Sequence, residues 1–221
     1  MTKIKKSYMP ISMNFEDSKP ITNVTSLEAQ PIQQGYGPAY HRVYSIVLRM
    51  NDDQAKPAMQ KLKSDLNHFS PQILASFEKV VGDTACLQKD DEFQIHIIGP
   101  WNGPVRVAQV SEWAFRLQTL EGHLEAGEIR FELKKSGERK YIFEIESLAR
   151  SRDALVNLVY DKIPIAKLAQ TEMWTAFCQK FAAEATGCSE SAPTDEQKNF
   201  FSEVNVLTER RDEETGQWEK I

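Results

Sequence analysis

The chain has 221 residues, 41% hydrophobic and 27% charged, ordinary proportions for a globular protein of one main domain. A net charge of −5 and an isoelectric point near 5.5 argue against general binding to nucleic acid or anionic membrane. No stretch approaches the roughly 18 apolar residues of a membrane span.

The start, MTKIKKSYMPISMNFEDSK, lacks the apolar centre of a secretory signal. Cys86, Cys178 and Cys188 are odd in number with no close pair, which suits free thiols in a reducing cytoplasm, so a cytoplasmic protein is expected. Residues 1–39 are polar and broken by Pro10, Pro20, Pro31 and Pro38; they read as an extended N-terminal arm. Residues 40–187 carry the periodic patterns of the domain, and 188–221 form a C-terminal extension.

In the domain, Tyr40 to Met50 alternates as a strand, with Tyr40, Arg42, Tyr44, Ile46 and Leu48 on one face. Asn51 or Asp52 then caps a helix to about Asn67, with Ala55, Met59, Leu62 and Leu66 on its apolar side. Pro71 restarts the chain, and Ile73, Leu74, Phe77, Val80 and Val81 predict a second short helix closed by Gly82. The period then changes to two. Strands are expected around Phe93–Ile97, Val105–Val107, Trp113–Thr119, Ile129–Leu133 and Tyr141–Ile145, joined by turns such as Asn102-Gly103 and Ser136-Gly137.

From Asp153 to Gly187 the apolar residues fall three and four apart, through Leu155, Leu158, Val159, Ile163, Ala166, Ala169, Met173, Phe177 and Phe181. Such a helix is about 50 Å long and cannot stand in water alone. A curved antiparallel sheet of about six strands laid over it satisfies that demand, which gives an α+β fold with a helix pair after the first strand. In the extension, Thr194-Asp195-Glu196-Gln197 predicts a short capped helix. Val204–Arg211 and Gln217–Ile221 fit a terminal hairpin, with a helix through Leu207 as the competing reading.

The segments GPWNGPVRV (Gly99 to Val107) and TLEGHLEAGEIRFEL (Thr119 to Leu133) resemble the bacterial and plant family known as domain of unknown function nineteen-ninety. The family's run is Thr-Leu-Pro-Gly-His-Pro-Glu-Ser-Gly-Glu-like, and Thr119, Leu120, Gly122, His123, Glu125, Gly127 and Glu128 match it. Glu121 and Leu124 replace its prolines, Ala126 its serine, and Asp153 stands where a proline is expected after YIFEIESLARSR. The likeness covers roughly residues 40–185. It implies the START-like helix-grip fold of the birch-pollen-allergen (SRPBCC) superfamily, whose members commonly enclose an apolar cavity between sheet and long helix. The family brings no agreed biochemical role with it.

His123 lies among Glu121, Glu125 and Glu128, a mixture that suits a polar rim, acid–base work or the plain task of fixing the Gly122-to-Gly127 bend. Zinc-type ligand spacing is absent, so neither metal nor cofactor is expected. Trp101 and Trp174 are candidate walls for an apolar ligand, though tryptophans more often simply pack. Tyr160 can reach ligand oxygens. The ligand-binding set is therefore Trp101, His123, Glu128, Tyr160 and Trp174, with no catalytic residue assigned. The expected function is non-enzymatic binding of a small apolar molecule or lipid between sheet and helix, in a chain whose oligomeric state the sequence leaves open. One alternative is an enzyme using His123 and the nearby glutamates. Another is an interaction module working through its terminal extensions.

Overall fold

The computed structural model describes residues 27–82, 86–97, 101–154, 164–189, 191 and 194–221, with the backbone alone at 101–102 and 164–169. The elements in chain order are β1 (Tyr36–Leu48), α1 (Asp52–Ser64), α2 (Leu66–Phe69), β2 (Ala75–Val81) and β3 (Glu92–Ile97). There follow β4 (Trp101–Val110), β5 (Ala114–Thr119), β6 (Glu125–Gly137), β7 (Lys140–Ser151), α3 (Pro164–Thr186), α4 (Thr194–Gln197), β8 (Asn205–Arg211) and β9 (Trp218–Lys220). The strands make one sheet in the order β2-β3-β4-β5-β6-β7-β1-β8-β9, antiparallel throughout. It curves over α3 in a helix-grip arrangement.

Alternation explains how the sheet folds. Tyr40, Arg42, Tyr44, Ile46 and Leu48 of β1 are buried, as are Tyr141, Phe143, Ile145, Ser147, Ala149 and Ser151 of β7. The register sets Arg42 opposite Ser147, Tyr44 opposite Ile145 and Ile46 opposite Phe143, so these residues share the concave face. Helix α3 lays Trp174, Phe177 and Phe181 on that face. The Phe181 ring stacks on Phe143 with centroids 3.9 Å apart, and Phe177 lies 5.6 Å from Phe131. Phe131 in turn stacks on Phe115 at 4.5 Å, and Phe69 of α2 reaches both Phe177 and Phe181. The half of the interior beside the C-terminal part of α3 is thus filled by rings. Gly187, at φ +71°, ends the helix in the left-handed conformation that favours glycine.

Helix α1 opens with a full capping box, in which the Asn51 side chain accepts from the Gln54 backbone N–H while the Gln54 side chain accepts from that of Asn51. The second helix expected at residues 73–81 is instead strand β2. Ala75 and Phe77 turn inward and pair with Ile97 and Ile95, whereas Ile73 is 88% exposed. A short apolar run fits both periods, and pairing with β3 decides it. The free edge of β2 is partly closed by a side chain. The Asn67 amide donates to the Phe77 carbonyl at 2.6 Å and accepts from its N–H at 2.7 Å, as a neighbouring strand would.

The sheet has nine strands where about six were expected. The additional ones are β2 and the C-terminal hairpin, since β8 pairs with β1 from Tyr40↔Arg210 to Ser45↔Asn205 and β9 pairs with β8. Val206 and Leu207 therefore lie in a strand, and the competing helical reading is set aside. Strand β1 also begins earlier than its alternation suggested, at Tyr36. Of the long helix expected over 153–187, residues 155–163 fall outside the described residues.

The ring stack should dominate stability. Phe181→Ala is expected to lower the unfolding free energy by about 3–5 kcal/mol in urea titration, because both the ring contacts and their volume are lost. Glu214→Ala, in the exposed β8–β9 turn, should change it by less than about 0.5 kcal/mol.

Candidate functional site

At the Gln170 end of α3 the concave face changes character. Arg42, 6% exposed, donates from one guanidinium nitrogen to Glu125 Oε1 at 3.3 Å and lies over the Tyr40 ring, 4.8 Å from its centroid. The other oxygen of Glu125 accepts from Gln170 Nε2 at 3.5 Å. Next to this ion pair, the hydroxyls of Ser147 and Tyr44 are both buried and have no hydrogen-bond partner among the described residues. Burial pushes the Tyr44 phenol above its ordinary pKa. The Thr171 hydroxyl and the Arg42 charge pull it part of the way back, although Thr171 is not set at hydrogen-bonding geometry. Buried polar groups normally find partners, so a patch with two orphan hydroxyls marks a place where something else can bond.

The bend before β6 forms the rim of this face. Gln30 is built into it: its side-chain amide donates to the carbonyls of His123 and Glu125, and its backbone exchanges bonds with Thr119 and Gly127. Gly127 is needed there because a Cβ would fall 2.1 Å from the Leu148 carbonyl oxygen. The His123 ring lies against Gly103 of β4, where a Cβ would meet Cδ2 and Nε2 at 2.7 Å. Its Nδ1 stands 2.9 Å from the Glu125 backbone nitrogen and 3.0 Å from the Glu125 carbonyl oxygen, so the ring is held by the backbone of one residue. Burial holds its pKa below the usual histidine value despite the charge of Glu125.

The structure separates the residues that the sequence grouped. His123 bonds the backbone of Glu125 and no glutamate carboxylate, and Glu121 is exposed. Glu128 does not share the rim with His123, a correction with a simple cause. Even-numbered positions of β6 face outward, and the Glu128 carboxylate meets Arg116 at 3.4 Å on the convex side. Trp174 is buried, edge-on to Phe131, and forms the floor between ring stack and polar patch. The Trp101 side chain and all of Tyr160 fall outside the described residues. No group of three metal-ligating side chains occurs among the described residues. The Cys178 thiol is buried and pushed well up in pKa by that burial, so it stays protonated and unreactive. Arg42, Tyr44 and Ser147 were absent from the sequence-derived set. The signal was an arginine on the apolar side of an alternating strand.

Two surface grooves lie away from the concave face, of about 520 Å³ on the convex side and about 570 Å³ between α1 and the β6–β7 hairpin. The first is walled by Trp218 and crossed by His41, whose Nδ1 and Nε2 stand 2.9 Å and 2.8 Å from Glu209 and Glu146. Both nitrogens face carboxylate oxygens, so both must donate, and the ring is imidazolium. Partial burial opposes that charge, but the bonds to Glu209 and Glu146 outweigh it and raise the pKa.

The two histidines give opposite pH limbs. Stabilisation from His41 is complete below its ordinary value of 6.5 and is lost as pH rises through its raised folded value. That from neutral His123 is complete above 6.5 and is lost as pH falls toward its depressed folded value. Urea midpoints followed from about pH 5 to 9 should show His41→Gln flattening only the alkaline side and His123→Gln only the acid side. Variant and parent curves that run parallel throughout would refute this assignment.

The model of a family described as Domain of unknown function (DUF1990) matches residues 27–180. Among curated proteins none matches the sequence. Solved structures to which the chain is similar include norcoclaurine synthase from Thalictrum flavum in complex with dopamine and hydroxybenzaldehyde, 12% identical, with 64% of this chain and 86% of that chain covered and a TM-score of 0.44. A hypothetical protein, jhp0584, from Helicobacter pylori is 11% identical over 65% of this chain and 86% of its own, at a TM-score of 0.47. Ara h 8.0201 is 9% identical over 64% and 97%, at 0.42. Likenesses this distant carry nothing about ligand or activity. The family match is of another order: it takes in β1 through most of α3, including the Gly122-His123 bend that carried the resemblance, and the chain belongs to the DUF1990 family of domains of unknown function.

Proposed function

We propose that the protein binds a small apolar molecule or lipid between the concave face of the sheet and α3, at the Gln170 end of the helix. One observation carries this reading: a patch of buried, incompletely bonded polar groups on a face that is otherwise aliphatic and aromatic. Ligand sites are typically apolar walls with a few convergent polar groups. Here Trp174 and Ile129 supply wall, Arg42, Tyr44 and Ser147 supply polar groups, and His123 stands at the rim. From the sequence, Trp101 remains a candidate wall and Tyr160 a candidate partner for ligand oxygens. The ring stack below Trp174 confines the ligand to this end.

Native mass spectrometry of the freshly purified full chain should show a bound apolar species that is released on denaturation. Ala149→Phe tests the space itself, since Ala149 is buried on the same face two residues from Ser147. If there is room, the variant keeps its stability and loses the bound species. If the face is solidly packed, overpacking costs about 1–3 kcal/mol and the proposal fails.

A further inference from the structure

Resting on that reading, we infer that the ligand's polar head is an uncharged oxygen group, an alcohol, ketone or ester, and not a carboxylate or an amine. Among the described residues the polar patch is balanced in charge before any ligand arrives. Its cation among the described residues, Arg42, already meets Glu125, with side-chain exposures of 7% and 15%. A carboxylate head would set a second negative charge beside Glu125 in a poorly solvated space, and an ammonium head would do the same to Arg42. A neutral head carries no such penalty and finds bonds to make. Arg42 has five N–H donors and uses one on Glu125. The Ser147 and Tyr44 hydroxyls can each donate or accept.

Position supports the same conclusion. Arg42 and Ser147 face each other across the β1–β7 ladder, and Tyr44 is the diagonal neighbour of Ser147. Such neighbours lie roughly 5–8 Å apart, close enough for one oxygen head to meet members of the set while its chain runs toward Trp174. His123 at the rim adds no charge, because burial favours its neutral ring.

The test compares dodecan-1-ol with dodecanoate at neutral pH, by calorimetric titration of the full chain and of Ser147→Ala. The alcohol should bind at least tenfold more tightly than the acid. Ser147→Ala should weaken the alcohol by about two- to tenfold, the value of one neutral hydrogen bond, and leave the acid unchanged. An acid that binds as well as the alcohol, or an alcohol indifferent to Ser147→Ala, overturns the inference while leaving apolar binding intact. Binding of neither compound overturns both. Circular dichroism of Ser147→Ala checks its fold, and Tyr44→Phe provides a second variant with the same expected selectivity if Ser147→Ala is unfolded.

Discussion

The burial of one helix face sets the rest of the structure. Trp174, Phe177 and Phe181 cannot stay in water along a 23-residue helix, and the concave side of the sheet is their main cover. The rings of Phe143, Phe131 and Phe115 meet them in a continuous stack, with Phe69 of α2 closing the end. Because the stack is dense, it also limits where anything else can go. What remains for recognition is the end of the face where rings give way to Arg42, Glu125, Tyr44 and Ser147.

Two environments for histidine show how the same side chain is used differently in one sheet. His123 is enclosed at a bend against the Glu125 backbone, and burial favours its neutral form. His41 is half-buried on the convex face between two carboxylates, so its charged form is favoured. The first shapes the rim of the concave face. The second ties β8 to the domain through Glu209 and to β7 through Glu146.

Much of this was legible in the sequence because period is a local property. The alternation of Tyr40 to Leu48 and of Tyr141 to Ile145, and the spacing of Met173, Phe177 and Phe181, each named the face that is buried. Residues 73–81 misled for the same reason, since a run of nine residues satisfies either period until a partner strand chooses. Glu128 misled because nearness in sequence to His123 says nothing of which side of a strand a carboxylate takes. Arg42 and Ser147 could have been found, as polar residues at inward positions of strands otherwise apolar there. Their facing each other could not, because it depends on a register between segments about a hundred residues apart. Gln30, which braces the His123 bend from outside the expected domain, carried no local signal at all.

The pairing of β1 with β8 joins residues as far apart as His41 and Glu209, separated by 168 positions. During synthesis on the ribosome, β1 must therefore spend a long interval with one backbone edge unsatisfied while β2 to β7 and the helices emerge. An exposed edge of this kind invites pairing with other nascent chains. Yield in a fast-translating host would then depend on how promptly the distal hairpin arrives, and a slow passage between α3 and β8 would lengthen the exposure.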